Sequence, residues 1–108
     1  MKLLLDESVP RWLAAFFPES RIVRRVQQMG WAGTGNGRLL FLAAGEHFDV
    51  LVTVDRGIEH QQNVGTLPIA VVVMLVRRKR LRELQSLVPG VISVLSGDLQ
   101  KRIHYVLA

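Results

Sequence analysis

The chain has no cysteine, which excludes disulfides and thiolate chemistry and leaves an apolar core to hold the fold. No stretch approaches the roughly 20 uninterrupted apolar residues of a membrane helix, so no membrane partner is expected. The opening Lys2-Leu3-Leu4-Leu5 reaches the acids Asp6 and Glu7 too early for a signal peptide, and cytoplasmic localisation is the expectation. Repeats and low-complexity tracts are also missing, and nothing marks a second domain. Acids are scarce too: 9 Asp and Glu stand against 14 Lys and Arg, with arginine predominating, a net charge of +5 and an isoelectric point near 10.8. A surplus of this sign suits a polyanionic partner, or simply keeps a small protein soluble.

What is present fits one globular domain over 108 residues, 49% apolar and 21% charged. Lys2 to Leu5 reads as a short buried strand that stops at Asp6. Ser8 is placed to cap a helix with Pro10 in its first turn, carrying Val9, Trp12, Leu13, Phe16 and Phe17 at helical spacing until Pro18. Arg21 to Val26 reads as a second strand, followed by a loop with glycines at 30, 33, 35 and 37. A helix over 38–46, capped by Asn36, precedes a β-branched strand, Val50 to Val54, that ends on Asp55. Ile69 to Val76 is the clearest strand of all, as at the centre of a parallel sheet. Helix is expected from Leu81 up to Pro89 and again over 91–95, and Ile103, Tyr105 and Leu107 alternate as an edge strand would.

Strands alternating with helices predict a three-layer α/β/α sandwich around a mainly parallel sheet with right-handed crossovers. In the flavodoxin-like order the first strand lies beside the strand ending at Asp55. Ligands of such sheets bind beyond the carboxyl ends of the strands, where both acids project. Neighbouring strands are about 4.8 Å apart, so Asp6 and Asp55 can converge on one hard cation, for which magnesium is the natural candidate. That ion would orient a water for attack on a phosphodiester. Each acid also has a plainer role: Asp6 can cap a turn, and Asp55 can open one at Arg56 and Gly57. Glu7 leaves the strand in the opposite direction and joins the site only if the chain bends.

The order of these elements resembles the PIN-like superfamily, in particular short bacterial members related to the ribonucleases of toxin–antitoxin pairs. The resemblance rests on Lys2 to Glu7 with Pro10 close behind, Gly30-Trp31 before a Leu-rich helix, Asp49-Val-Leu-Val-Thr-Val-Asp55, Gln61-Gln62-Asn63, and the strand Ile69 to Leu75. It implies a metal-dependent ribonuclease with Asp6, Glu7 and Asp55 as catalytic acids. Asp6 and Asp55 would be the ligands of Mg2+ or Mn2+, and RNA, a cognate antitoxin and a second copy of the chain the partners. One departure stands out. Nucleases of the superfamily place another acid at the start of the helix after the Gly-Trp turn, where this chain has Asn36, Gly37 and Arg38. A degenerate module that binds RNA or a protein partner is the alternative that this departure supports.

Other features bear on binding. Arg77, Arg78, Lys79 and Arg80 after the central strand, and Arg21, Arg24 and Arg25, are candidate contacts to a nucleic-acid backbone or else a solvated face. Arg56, His60, Gln61 and Gln62 crowd just beyond Asp55 and are placed to line the same cleft. Neither nucleotide-binding glycine fingerprint is met. Trp12, Phe16 and Phe17 are read as core residues, Trp31 as either a base-stacking residue or a core one, and His47 and His104 have no metal-site spacing. The acids also invite comparison with response-regulator receivers, but the strand Ile69 to Val76 lacks the terminal Ser or Thr of that family.

Overall fold

The computed structural model describes residues 1–18, 21–58, 67–78 and 80–107. Five short strands form its centre: β1 (Lys2–Leu5), β2 (Ile22–Arg25), β3 (Val50–Thr53), β4 (Ala70–Met74) and β5 (Ile103–Val106). All four pairings are parallel and the order is β2-β1-β3-β4-β5, so β1 does lie beside β3. The continuous apolar runs follow from burial on both faces: every residue of β3 and β4 is buried, as are Leu3, Leu4 and Leu5.

Alternation along the strands sorts the core into two layers. On one face Leu3, Leu5, Val50, Val52, Val72 and Met74 pack against a 3₁₀ helix (Arg11–Phe16) and against α2 (Leu81–Ser96). On the other, Leu4, Leu51, Val71 and Val73 pack against α1 (Asn36–Gly45) and Phe48. This is the expected three-layer α/β/α arrangement.

The crossovers do not all share one hand, contrary to expectation. The β1-to-β2 and β2-to-β3 connections cross the sheet in opposite directions and carry their helices on opposite faces, which gives them the same hand. The β4-to-β5 connection crosses in the same direction as β2-to-β3, yet α2 lies on the 3₁₀ face, so its hand is opposite. Connections of the minority hand are rare, on the order of 2%.

Several local expectations are also corrected. The aromatic segment forms only six residues of 3₁₀ helix, too short to bury a broad stripe. The row Val9, Leu13 and Phe17 faces the sheet, while the neighbouring row, Trp12 and Phe16, remains 36% and 38% exposed as an edge-to-face pair. Pro89 does not split the last helix: α2 runs through it. The lost hydrogen bond and ring clash cost about 3 kcal/mol, whereas the apolar row Leu84, Leu87, Val88, Val91 and Leu95 is buried without a break, at about 1.5–3 kcal/mol per side chain. Gly35, not Asn36, is the N-cap of α1. In β5 the buried residues are His104 and Val106, while Tyr105 and Leu107 are exposed. Among the described residues no helix is long and apolar enough to cross a membrane.

Candidate functional site

In the order 2-1-3-4-5 the chain leaves β1 toward one side of the sheet and β3 toward the other, so the switch point lies between their carboxyl ends. Register places Asp6 there. Leu5 pairs with Val52, and the Asp6 amide donates to the Val52 carbonyl at 2.9 Å, which sets Asp6 level with Thr53. Asp55 follows two residues later.

The Asp6 side chain is buried, 8% exposed, and its contacts explain how a carboxylate is tolerated there. Its Oδ2 accepts hydrogen bonds from Ser8 Oγ at 2.6 Å, Thr53 Oγ1 at 2.9 Å and the Ser8 amide at 3.4 Å. The hydroxyl oxygens of Ser8 and Thr53 are themselves 3.2 Å apart. Each has a single proton, and both protons are directed to Asp6, so this contact is a close approach of two donors to one acceptor. Thr53 Oγ1 also accepts the Asp55 amide at 3.0 Å, tying the two acidic segments together through one hydroxyl. Ser8 therefore closes a turn onto Asp6 instead of capping a helix.

Asp55 is half-buried and accepts the Gly57 amide on Oδ1 at 2.8 Å, the turn expected of an acid before Arg56-Gly57. Glu7 is exposed. Its Oε1 accepts the Gly33 amide at 3.1 Å and so pins the glycine loop beside the site. Gly33 has φ +80°, a conformation that an L side chain strains to adopt. Thus all three acids have structural partners, and three or more potential metal-ligating side chains do not gather anywhere among the described residues. The departure at the start of α1 is present in space as well: the first turn contains no acid and Arg38 is exposed.

The cations partition unevenly between the two edges of the sheet. Arg24 and Arg25 close β2, Arg56 follows β3, Arg77 and Arg78 follow β4, and Arg38 and Arg80 stand at the starts of α1 and α2, all on the carboxyl edge. At the opposite edge Lys2, Arg21, Lys101 and Arg102 are nearly balanced by Glu46, Asp49 and Asp98. Arg21 is thereby separated from Arg24 and Arg25; its guanidinium contacts Met1 Sδ at 3.4 Å and Ser96 Oγ at 3.2 Å. His60, Gln61, Gln62 and Lys79 lie outside the described residues. Trp31 folds back toward the core, edge-to-face with Phe48 at 6.0 Å, and His104 bonds the Gln100 carbonyl from beneath α2.

Among the described residues a cavity opens at each end of the strands. The larger, about 480 Å3 and lined by His47, Asp49 and Lys101 among others, lies at the amino ends of the strands, away from the acids. The smaller, about 390 Å3, lies at the carboxyl ends of β4 and β5 beside Arg77. Sheets of this order bind ligands at the carboxyl edge, so size alone does not make the larger cavity the site. The sequence reading gives Ser8 a helix cap instead of its contact with Asp6 and passes over Thr53. A lone hydroxyl inside an apolar strand, and Ser two residues after Asp, were the available signals, because a buried hydroxyl needs a partner. No protein-family model matches the chain, and no curated protein or solved structure is detectably similar to it.

Proposed function

We propose that the chain is a PIN-like, magnesium- or manganese-dependent ribonuclease of the cytoplasm, of the kind that forms the toxin half of a toxin–antitoxin pair. The observation that carries this reading is the register of β1 with β3, which brings Asp6 and Asp55 to adjacent strand ends at the switch point.

Open carboxylate oxygens support a divalent cation held by few protein ligands. The Asp6 bonds all end on Oδ2, and those of Asp55 on Oδ1. One oxygen of each carboxylate therefore accepts no hydrogen bond from the described residues. Two carboxylate oxygens suffice for magnesium when waters and a substrate phosphate complete the shell. When bound, the ion would supply an activated water and neutralise charge developing on the phosphodiester. The chain's own residues do the positioning. Ser8 and Thr53 fix the Asp6 carboxylate, Gly57 fixes that of Asp55, and Arg24, Arg25, Arg56, Arg77 and Arg78 offer cations to flanking phosphates.

A second reading, a noncatalytic module that binds RNA or a protein partner, is favoured by the first turn of α1, where Asn36, Gly37 and Arg38 offer no acid. One experiment separates the two. Wild type and Asp6→Asn are titrated with Mg2+ or Mn2+ while thermal stability and cleavage of a labelled RNA are followed. Asn retains an oxygen for Ser8 and Thr53 but loses the charge. The nuclease predicts stabilisation of about 2.7 kcal/mol at a hundredfold excess over the dissociation constant, together with cleavage, both lost in Asp6→Asn. Neither effect in wild type assigns the chain to the binding module.

A further inference from the structure

The cavity at the ends of β4 and β5 shares the carboxyl edge with the acid pair. Its volume, about 390 Å3, falls in the range of small-ligand sites, about 300–1,000 Å3. Leu75, Leu87 and Leu107 give it apolar walls, and Arg77, Glu83 and Ser86 give it polar ones. Glu83 is held in place because its Oε2 accepts the Arg78 amide at 3.1 Å; its Oε1 accepts no hydrogen bond from the described residues. Ser86 donates its proton to the Glu83 carbonyl at 2.7 Å, which leaves its oxygen to serve only as an acceptor in the cavity wall. Apolar walls with two acceptors suit a flat ring bearing an amino group, and the adjacent arginines suit the phosphate attached to it.

We propose that this cavity is a nucleobase subsite, selective for bases with an exocyclic amino group, on a single strand whose phosphates lie along the arginines of the same edge. The inference rests on the reading of that edge as a nucleic-acid surface. β4 and β5 lie one and two strand spacings from β3, about 5 and 10 Å. At about 3.4 Å per stacked nucleotide, a strand crossing Asp55 reaches the cavity within two or three nucleotides. Glutamate accepts from the amino group of cytosine, whereas uracil presents a carbonyl there and meets an acceptor with an acceptor.

The test is fluorescence anisotropy of the full chain with labelled C8, A8 and U8 RNA in EDTA over a salt series. Wild type is expected to bind C8 and A8 roughly tenfold more tightly than U8. Glu83→Gln, whose amide can donate to uracil, and Ser86→Tyr, which fills the cavity, both bring C8 down to or level with U8 without changing the salt slope. Arg77→Glu weakens all three oligonucleotides and flattens the slope. Equal binding of C8 and U8 by wild type, or a preference that survives both cavity variants, overturns the subsite while salt-dependent binding keeps the edge. Binding of no oligonucleotide overturns both. Discrimination without metal-dependent cleavage supports the subsite and removes the nuclease.

Discussion

Thr53→Val tests the account of the site most directly, because it keeps the shape of a fully buried side chain and removes only its hydroxyl. Thr53 Oγ1 donates to the Asp6 carboxylate at 2.9 Å and accepts the Asp55 amide at 3.0 Å. A hydrogen bond to a charged group is worth about 1.5–3 kcal/mol, and an unsatisfied buried donor costs about 1–3 kcal/mol. Asp55 is half-buried, so its amide can turn partly to water and the second cost stays near the low end of that range. The sum is a loss of about 3 kcal/mol, or a fall in Tm of roughly 10 °C or more for a domain of this size. Urea unfolding followed by the fluorescence of Trp12 and Trp31 measures it, with an unchanged slope showing that the denatured state is the same. Thr53→Ser, which keeps the hydroxyl, should lose about 1 kcal/mol. Ser8→Ala and Thr53→Val should not add, because both hydroxyls serve one carboxylate oxygen. A loss under about 0.5 kcal/mol in Thr53→Val, or a smaller loss than in Thr53→Ser, would refute the hydroxyl–carboxylate cluster as a stabilising tie between the ends of β1 and β3.

Four further substitutions probe the frame around the site by the same urea assay. A Cβ on Gly90 would lie 2.8 Å from Val106 Cγ1, so Gly90→Ala should destabilise by about 1–3 kcal/mol despite its gain in helix propensity, and Val106→Ala should relieve the clash. Pro89→Ala restores an amide inside α2 and should stabilise by about 2 kcal/mol; no gain would mean that the helix is already bent to suit the ring. Gly33→Ala meets no neighbouring atom, so its cost should be the backbone term alone, about 1–2 kcal/mol, and a larger loss would show that the loop packs more tightly than its geometry indicates.

The parts of the fold legible in the sequence are those governed by period and burial. β1, β3 and β4 were readable because strands covered on both faces must be apolar throughout, and their order followed from alternation with helices. The placement of Asp6 and Asp55 at neighbouring strand ends was equally accessible, since each acid ends such a run. Partnerships that depend on a bend were not. Glu7 meets Gly33 through a loop closure no local pattern encodes, and Ser8 turns back to Asp6 where a helix cap was the local expectation. The aromatics misled for another reason. Trp12 and Phe16 share the helical spacing of Leu13 and Phe17, and only the depth of the sheet decides which row is covered.

The largest departure, the placement of α2, follows from packing and has consequences at the carboxyl edge. Because α2 lies on the 3₁₀ face, it covers the side of β5 that carries His104 and Val106, not the side of Ile103 and Tyr105 that alternation alone suggested. Gly90 permits this approach: with no Cβ, the helix can sit directly over Val106, where any larger residue would hold it off. The same descent brings the first turns of α2, with Glu83, Ser86 and Leu87, down beside the ends of β4 and β5, and it is these residues that close the smaller cavity. A helix on the opposite face would leave Arg77 and Leu107 without that wall. The hand of one connection thus determines whether the basic edge is a flat strip of arginines or a strip with a pocket at one end, and the base selectivity proposed for that pocket would depend on the crossover as much as on Glu83.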